Sequence, residues 1–365
     1  MIALPSVNPA FLLPTDPRAG EERVVDFLAA TAAQAGLDID LQPVLPGRFN
    51  FLARLAPREK TRYRIALAPH LDTVNAPEAL FTPRKKDGRL FGRGACDTKG
   101  SVAAMVTALC ELARQPSRPA QTEIVFAGLV DEENAQAGSR TLAGSRLQVD
   151  LAIVGEPTRL QAVTAHKGDL WMILKTRGLS AHGAQPELGR NAIHAMAQVV
   201  DLLETKYAAQ LRRHRHPLLG QPTINVGSIR GGEQANIVPD SCEILVDRRT
   251  LPGESEPRVE REIHSFLRQH GLEVTFDRGR LAPCEPLETD PALPLVAQFL
   301  RTLGQRKPVG VNYFCDASVL SRGGIPSVVF GPGDIAQAHT ADEWIELDSL
   351  ERGKNMLLKF LKSLS

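Results

Sequence analysis

The chain has 365 residues, with 43 basic and 42 acidic side chains and a formal charge of +1. That length suits one large domain plus a smaller one, and the balanced charge gives no electrostatic ground for a nucleic acid or an anionic membrane as partner. With 43% hydrophobic and 23% charged residues, the composition is that of a folded chain and excludes an intrinsically disordered one. The opening stretch carries no charge before Asp16, but it lacks a basic segment and is broken by Pro5, Pro9 and Pro14, which argues against a signal peptide. The short apolar run 64–68, stopped by Pro69, reads as a strand. Residues 101–114 are apolar on most faces and read as a buried helix. The 11 uncharged residues between Lys99 and Glu111 are too few to cross a bilayer. The runs 123–130, 149–154 and 325–330 lack alternating polar positions, as strands covered on both faces by helices do. Strands interleaved with helices predict a doubly wound α/β sheet.

The middle of the chain reads differently. A strand at 170–176, a helix over 190–207, strands near 223–228 and 243–248, a helix over 256–268 and a strand at 272–276 follow in order. This β-α-β-β-α-β order is that of a ferredoxin-like split unit. It predicts an inserted domain at 169–280, with the larger domain built from 1–168 and 281–365. Five cysteines (96, 110, 242, 284 and 315) are odd in number and never spaced C-x-x-C, which argues against a disulfide framework or a thiolate zinc site. The expectation is a soluble protein of the reducing cytoplasm.

In open α/β sheets, ligands bind beyond the carboxyl ends of the strands. Here those ends carry metal-ligand side chains repeatedly. The run 64–68 leads to His70-Leu71-Asp72, and 123–130 leads to Asp131-Glu132-Glu133. The run 149–154 leads to Gly155-Glu156-Pro157, and 325–330 leads through Gly331-Pro332-Gly333 to His339. Asp97 lies in a turn rich in glycine (Gly92, Gly94, Gly100) before the long apolar helix. Taken singly, an H-x-D is more often a polar loop, adjacent acids are usually a solvated turn, and G-E-P is usually a turn. Their placement along one sheet edge is what those plain readings leave unexplained. Two imidazoles and several carboxylates without thiolate suit Zn²⁺, Co²⁺ or Mn²⁺. The ligands outnumber what one tetrahedral ion needs, so two ions sharing a bridging carboxylate is the economical reading.

Other chemistries find no support. Residues 94–101 resemble a phosphate loop but run Lys-Gly-Ser where Gly-Lys-Ser or Gly-Lys-Thr is needed. No G-x-G-x-x-G opens a helix after a strand, and no G-x-S-x-G nucleophile motif occurs.

At these residues the chain resembles the dinuclear metallohydrolases (M20-type peptidases and deacylases) that include acetylornithine deacetylase, succinyl-diaminopimelate desuccinylase, aminoacylase and glutamate carboxypeptidase. The matching stretches are HLDTV (70–74), GRGACDTKG (92–100), DEE (131–133), GEPT (155–158) and SAHGAQPELGRNAI (180–193). GGEQANIVPD (231–240), DRRTLPG (247–253) and GPGDIAQAHTADE (331–343) complete them. The likeness runs from Ser6-Val7-Asn8-Pro9 almost to the end of the sequence, although relatives usually carry a helix before this point.

The resemblance implies a catalytic α/β domain with an inserted lid or dimerisation domain. It implies one metal on His70 and Glu156, a second on Glu133 and His339, and Asp97 bridging both. Zinc comes first as the metal, with cobalt or manganese as the other candidates. Asp72 would orient His70, and Glu132 would be the general base. His182 would reach across a homodimer to the scissile carbonyl, while Asn236 and Arg249 would hold the substrate's backbone end. Gly331 and Gly333 would let the backbone approach the substrate, and the Asp97-Thr98 peptide would be cis. His166, in AHKG (165–168), is similar to the acetylornithine deacetylase branch and is given no chemistry. The implied activity is hydrolysis of the amide bond of a small N-acyl amino acid, most like acetylornithine deacetylase. A desuccinylase, a dipeptidase or carboxypeptidase, and a metal-stabilised binding protein without catalysis are the alternatives. Retention of Glu132 beside a full ligand set speaks against the last, because binding alone needs no free base. Residues 313–317, Tyr-Phe-Cys-Asp-Ala, fall where relatives differ in lining the substrate pocket.

Overall fold

The structure, a computed structural model, describes residues 1–365 except Pro14, Ser117, Leu281 and Ser365. Pro14 of the opening stretch, and the first and last residues of the predicted segment 281–365, therefore lie outside the described residues. The chain divides into two compact units, one of Met1–Thr164, Thr289–Val309 and Cys315–Ser365, the other of Ala165–Glu288 and Gly310–Phe314.

The first unit begins with α1 (Glu22–Gln34), β1 (Asp38–Leu45), β2 (Arg48–Leu55) and β3 (Tyr63–Pro69). The short strands β4 (Arg84–Lys86) and β5 (Arg89–Phe91) lead to α2 (Lys99–Ala113). Next come β6 (Thr122–Gly128), α3 (Ala137–Ala143), β7 (Leu151–Gly155) and β8 (Val163–His166), the last leading into the second unit. There the order is β9 (Gly168–Arg177), α4 (Ala192–Leu202), α5 (Ala208–Leu211), β10 (Thr223–Gly231), β11 (Ser241–Thr250), α6 (Glu256–Gln269), β12 (Thr275–Arg278) and β13 (Leu287–Glu288). The chain ends with α7 (Pro294–Thr302), β14 (Val309–Val311), α8 (Ala317–Arg322), β15 (Ser327–Val329), β16 (Trp344–Glu346) and α9 (Leu347–Lys362).

The main sheet of the first unit runs β1-β2-β6-β3-β7-β15, with Val163 beside Val329. Its centre, β6-β3-β7-β15, is parallel, but β1 and β2 are antiparallel, so the sheet is mixed rather than parallel throughout. The reason is local: Gly47, at φ +70°, closes a hairpin between β1 and β2, and a hairpin can only pair antiparallel. The central strands are buried at nearly every position, as their unbroken apolar runs require. Residues of α1, α2, α7 and α9 pack with these strands in one apolar core, while α8 lies against β7, β15 and α3.

In the second unit an antiparallel sheet runs β10-β11-β9-β12. Its β11 alternates buried and more exposed positions, the pattern of a sheet with one covered face. Ile244 and Val246 of β11 and Met172 and Leu174 of β9 share a core with Met196 and Val199 of α4 and Ile263 and Phe266 of α6. Asn191 starts α4 by accepting the His194 N–H on its side chain at 3.0 Å. Among the described residues, no helix is long and apolar enough to cross a membrane.

Candidate metal centre

The four parallel strands deliver the site. His70 follows β3 directly, Glu132 and Glu133 follow β6, Glu156 follows β7, and Gly331, Gly333 and His339 follow β15. Because β3 has β6 on one side and β7 on the other, these ends meet where the strand order reverses, the place where open α/β sheets bind ligands. Asp97 arrives from the loop between β5 and α2, and its peptide to Thr98 is cis.

The side chains form two overlapping groups, His70–Asp97–Glu156 and Asp97–Glu133–His339, each with its candidate ligand atoms within 4.8 Å of one another. Asp97 Oδ1 lies 3.0 Å from His70 Nε2, and its Oδ2 lies 3.2 Å from His339 Nε2. Glu156 stands 3.8 Å from His70 Nε2, and Glu133 3.2 Å from His339 Nε2. Glu132 belongs to neither group.

Charge explains what such a cluster needs. Burial pushes the carboxyls of Glu132 and Glu156 well above the usual range, and their acidic neighbours push the same way. Burial also raises Glu133. His339 is raised to about 10 by its hydrogen bonds to Asp97 and Glu133. For His70, burial opposes the imidazolium, but the hydrogen bonds to Asp72 and Asp97 outweigh it and hold the group well above its ordinary value. Four carboxylates (Asp72, Asp97, Glu133 and Glu156) in contact with two imidazoles, with Glu132 buried nearby, are short of positive charge. Two divalent cations on these nitrogen and oxygen donors supply it, so the donor set fits the metals that the sequence calls for.

Asp72 does more than face an imidazole. Its backbone carbonyl is 3.0 Å from His70 Nδ1, and its carboxylate accepts the N–H groups of both Glu132 and Glu133 at 3.1 Å. Asn8 Nδ2 donates to Asp72 at 2.7 Å and to Asp131 at 3.0 Å, and Arg48 bridges Asp131 and Glu21. Asp131, at φ +69°, turns the chain so that the next two N–H groups reach Asp72; a short polar side chain tolerates that conformation better than most. The bracing roles of Asn8, Arg48 and Asp131 escape the sequence reading, although Asn8 and Asp131 lie inside the motifs quoted above. Their partners are 83 and 123 residues away, beyond any local pattern. Asp316 is a further buried carboxyl, raised to about 7 by burial against the hydrogen bond from Ser139.

The remaining expected residues lie in the second unit. The Gly183 N–H donates to Asn236 O at 2.7 Å, which brings His182 and Asn236 onto neighbouring strands of chain. A Cβ at Gly183 would stand 2.9 Å from Asn236 backbone atoms, so only glycine allows this approach. Arg249, on β11, is held bidentately by Asp247 at 2.9 Å and lies 3.6 Å from the buried Asp169. His166 is buried, and burial lowers it to about 4.

Fold, site and relatives together make this protein a metal-dependent hydrolase. The family model for peptidase family M20/M25/M40 matches residues 66–363. The chain belongs to that family. An acetylornithine deacetylase of Proteus mirabilis is 31% identical over 382 residues, covering 100% of this chain and 94% of the relative. A tripeptidase of Staphylococcus aureus has a similar structure, with a TM-score of 0.77 at 21% identity over 99% of this chain and 95% of that one. A dinuclear metal binding peptidase of the same family from Bacillus subtilis aligns with a TM-score of 0.68 at 15% identity, over 94% and 92% of the two chains.

Proposed function

We propose that this chain is a two-metal deacylase that hydrolyses the amide bond of N-acyl amino acids, with N-acetylornithine as the first substrate to test. The observation that carries the reading is Asp97, whose two oxygens address two separate histidine groups at 3.0 and 3.2 Å. His70, Asp97 and Glu156 would hold one ion and Asp97, Glu133 and His339 the other, and zinc would suit this donor set. Bound there, the ions polarise the scissile carbonyl and acidify water. Glu132, kept out of both groups, takes the proton of the attacking water and returns it to the leaving nitrogen. Asp72 holds the imidazole of His70 and the turn that presents Glu132. Gly331 and Gly333 are not openings for substrate, as the resemblance implied. A Cβ at Gly331 would run into Ser101 Oγ and the Glu156 carbonyl, and one at Gly333, at φ +91°, into Cys96 Sγ, so both let the loop after β15 pack against the protein itself.

The second unit serves as a ferredoxin-like lid and dimerisation domain. Its outer strand β10 carries the exposed Ile229, and Leu179, Leu188, Ile193 and Ile237 are also exposed, an apolar surface suited to a second copy of the chain. In this reading His182 and Asn236 would serve the reacting group, and Arg249 would hold the substrate's α-carboxylate. Asp247 takes only one edge of the Arg249 guanidinium, which leaves the Nη1 hydrogens for another anion. Arg249→Ala is expected to raise KM for substrates with a free α-carboxylate by about 10–100-fold and to abolish preference over the corresponding amide. An unchanged preference for the acid, measured by kcat/KM on the pair, removes Arg249 from the site. The family setting and five buried cysteines with no C-x-x-C spacing fit a cytoplasmic enzyme.

The direct test is a screen of N-acetylornithine, N-succinyl-diaminopimelate and dipeptides with Zn²⁺-, Co²⁺- and Mn²⁺-loaded protein, alongside metal analysis. Two ions per chain and highest kcat/KM on the N-acetyl substrate are expected. Preference for the succinyl substrate or for dipeptides reassigns the substrate, and one ion at saturation overturns the two-metal reading.

A further inference from the structure

The loop that carries Asp97 and the loop that carries His339 leave the same pair of strands. β5 and β16 pair antiparallel, with Leu90 opposite Ile345 and Phe91 opposite Trp344. One bond further, the Gly92 N–H donates to Glu343 O at 3.0 Å. Beyond it the two chains part, one running on to Asp97 and the other back to His339.

Glu343 sits at that fork with no exposed surface. Its Oε1 accepts the N–H groups of Cys96 at 2.7 Å and Asp97 at 2.9 Å. Its Oε2 accepts the Gly94 N–H at 2.9 Å and Arg93 Nη1 at 2.8 Å. Arg93 Nη2 also donates to Thr340 O, next to His339, at 3.2 Å. Gly92 and Gly94, at φ +144° and +80°, curl the loop so that three N–H groups converge. Concavities of this kind bind anions, and here the anion comes from the chain itself, 246–249 residues away.

We propose that Glu343 is a positioning residue that holds the shared carboxylate of Asp97 in register with His339 and thereby sets the second metal site. The proposal rests on the two-ion reading above. Glu343 reaches the His70–Asp97–Glu156 group through Asp97 alone, but it is tied to the Asp97–Glu133–His339 group twice, through Asp97 and, by way of Arg93, through the Thr340 carbonyl beside His339. An amide at 343 keeps the size of the side chain but places its own N–H₂ against two of the four donors, which then lose their acceptor. The Asp97 loop and the His339 loop would then keep the strand pair and the Arg93–Thr340 and Cys96–Asp334 bonds, but would lose half of the bonds to the side chain that pins the Asp97 turn.

Glu343→Gln and Glu343→Asp test this in the full chain, with Co²⁺ as probe in competition against a chelator and with the visible spectrum of the Co²⁺-loaded protein as second readout. Wild type is expected to bind two ions. The variants should lose about 10–100-fold in affinity for the more weakly held ion, with a smaller change at the other, and should show an altered Co²⁺ spectrum. Lys354→Met, which breaks the 2.9 Å pair with Glu111 between α9 and α2, is the control for general loosening. It should lower Tm and leave both affinities unchanged. Glu343→Asp keeps the charge and so provides a reading if the glutamine variant fails to fold. Wild-type affinities and spectrum in a folded Glu343 variant, or an equal affinity loss in Lys354→Met, overturn the proposal. Wild type binding a single Co²⁺ instead overturns the two-ion reading on which it stands.

Discussion

Replacing Glu132 by Gln is expected to lower kcat by about 10²–10⁴-fold while leaving two ions in the protein. The side chain belongs to neither ligand group, so the amide removes the proton acceptor without removing a ligand. The turn that presents it survives, because Asp72 holds that turn through the backbone N–H groups of 132 and 133 rather than through the side chain. Glu133→Gln gives the contrasting result. Its carboxylate faces His339 at 3.2 Å, so its loss should lower occupancy of the second ion and take activity down with it. Steady-state kinetics with metal analysis on the same samples separates the two behaviours. A near-wild-type kcat in Glu132→Gln would remove it as the base.

His182→Ala is expected to cost about 10²–10³-fold in kcat, the loss typical of one donor to a developing oxyanion. The local geometry prepares the imidazole for that work. Its Nδ1 accepts the Ala184 N–H at 3.1 Å, which leaves the ring proton on Nε2, free to donate outward. His182 is exposed on the second unit, whereas every ligand of both groups belongs to the first. In the proposed two-fold dimer formed through the second units, each His182 would serve the partner subunit's site. Mixing inactive His182→Ala with inactive Glu132→Gln should then restore about one quarter of wild-type activity, because half the dimers are mixed and each holds one intact site. Recovery is measured after subunit exchange, with heterodimers counted separately. No recovery despite abundant heterodimers, or a fully active monomer, rules the arrangement out.

The central strands and the buried helix were legible because two-sided burial leaves an unbroken apolar run, as in 64–68 and 149–154, now the cores of β3 and β7. Elements with one exposed face were harder to see. α1 buries only Val24, Val25, Leu28 and Ala32, and β1 is exposed at most positions, so neither forms a continuous apolar segment. The strand expected at 272–276 forms instead at Thr275–Arg278, where pairing with Met172–Lys175 of β9 sets its register. Strand ends of that kind depend on a partner distant in sequence.

The residue types of the site, and the strand ends that bear them, follow from the sequence alone, because a ligand's chemistry is local and a turn after an apolar run announces itself. Motif order also places the chain in its family. What only the tertiary structure decides is how the loops are held. Asn8 and Arg48 brace Asp131, Asp72 gathers the Glu132–Glu133 turn, and Glu343 ties the Asp97 loop to that of His339. Each is a polar side chain with partners 60 to 249 residues away. A hydrogen bond at that distance leaves no periodicity in the sequence; it exists only once burial has brought donor and acceptor together and made an unpaired group costly.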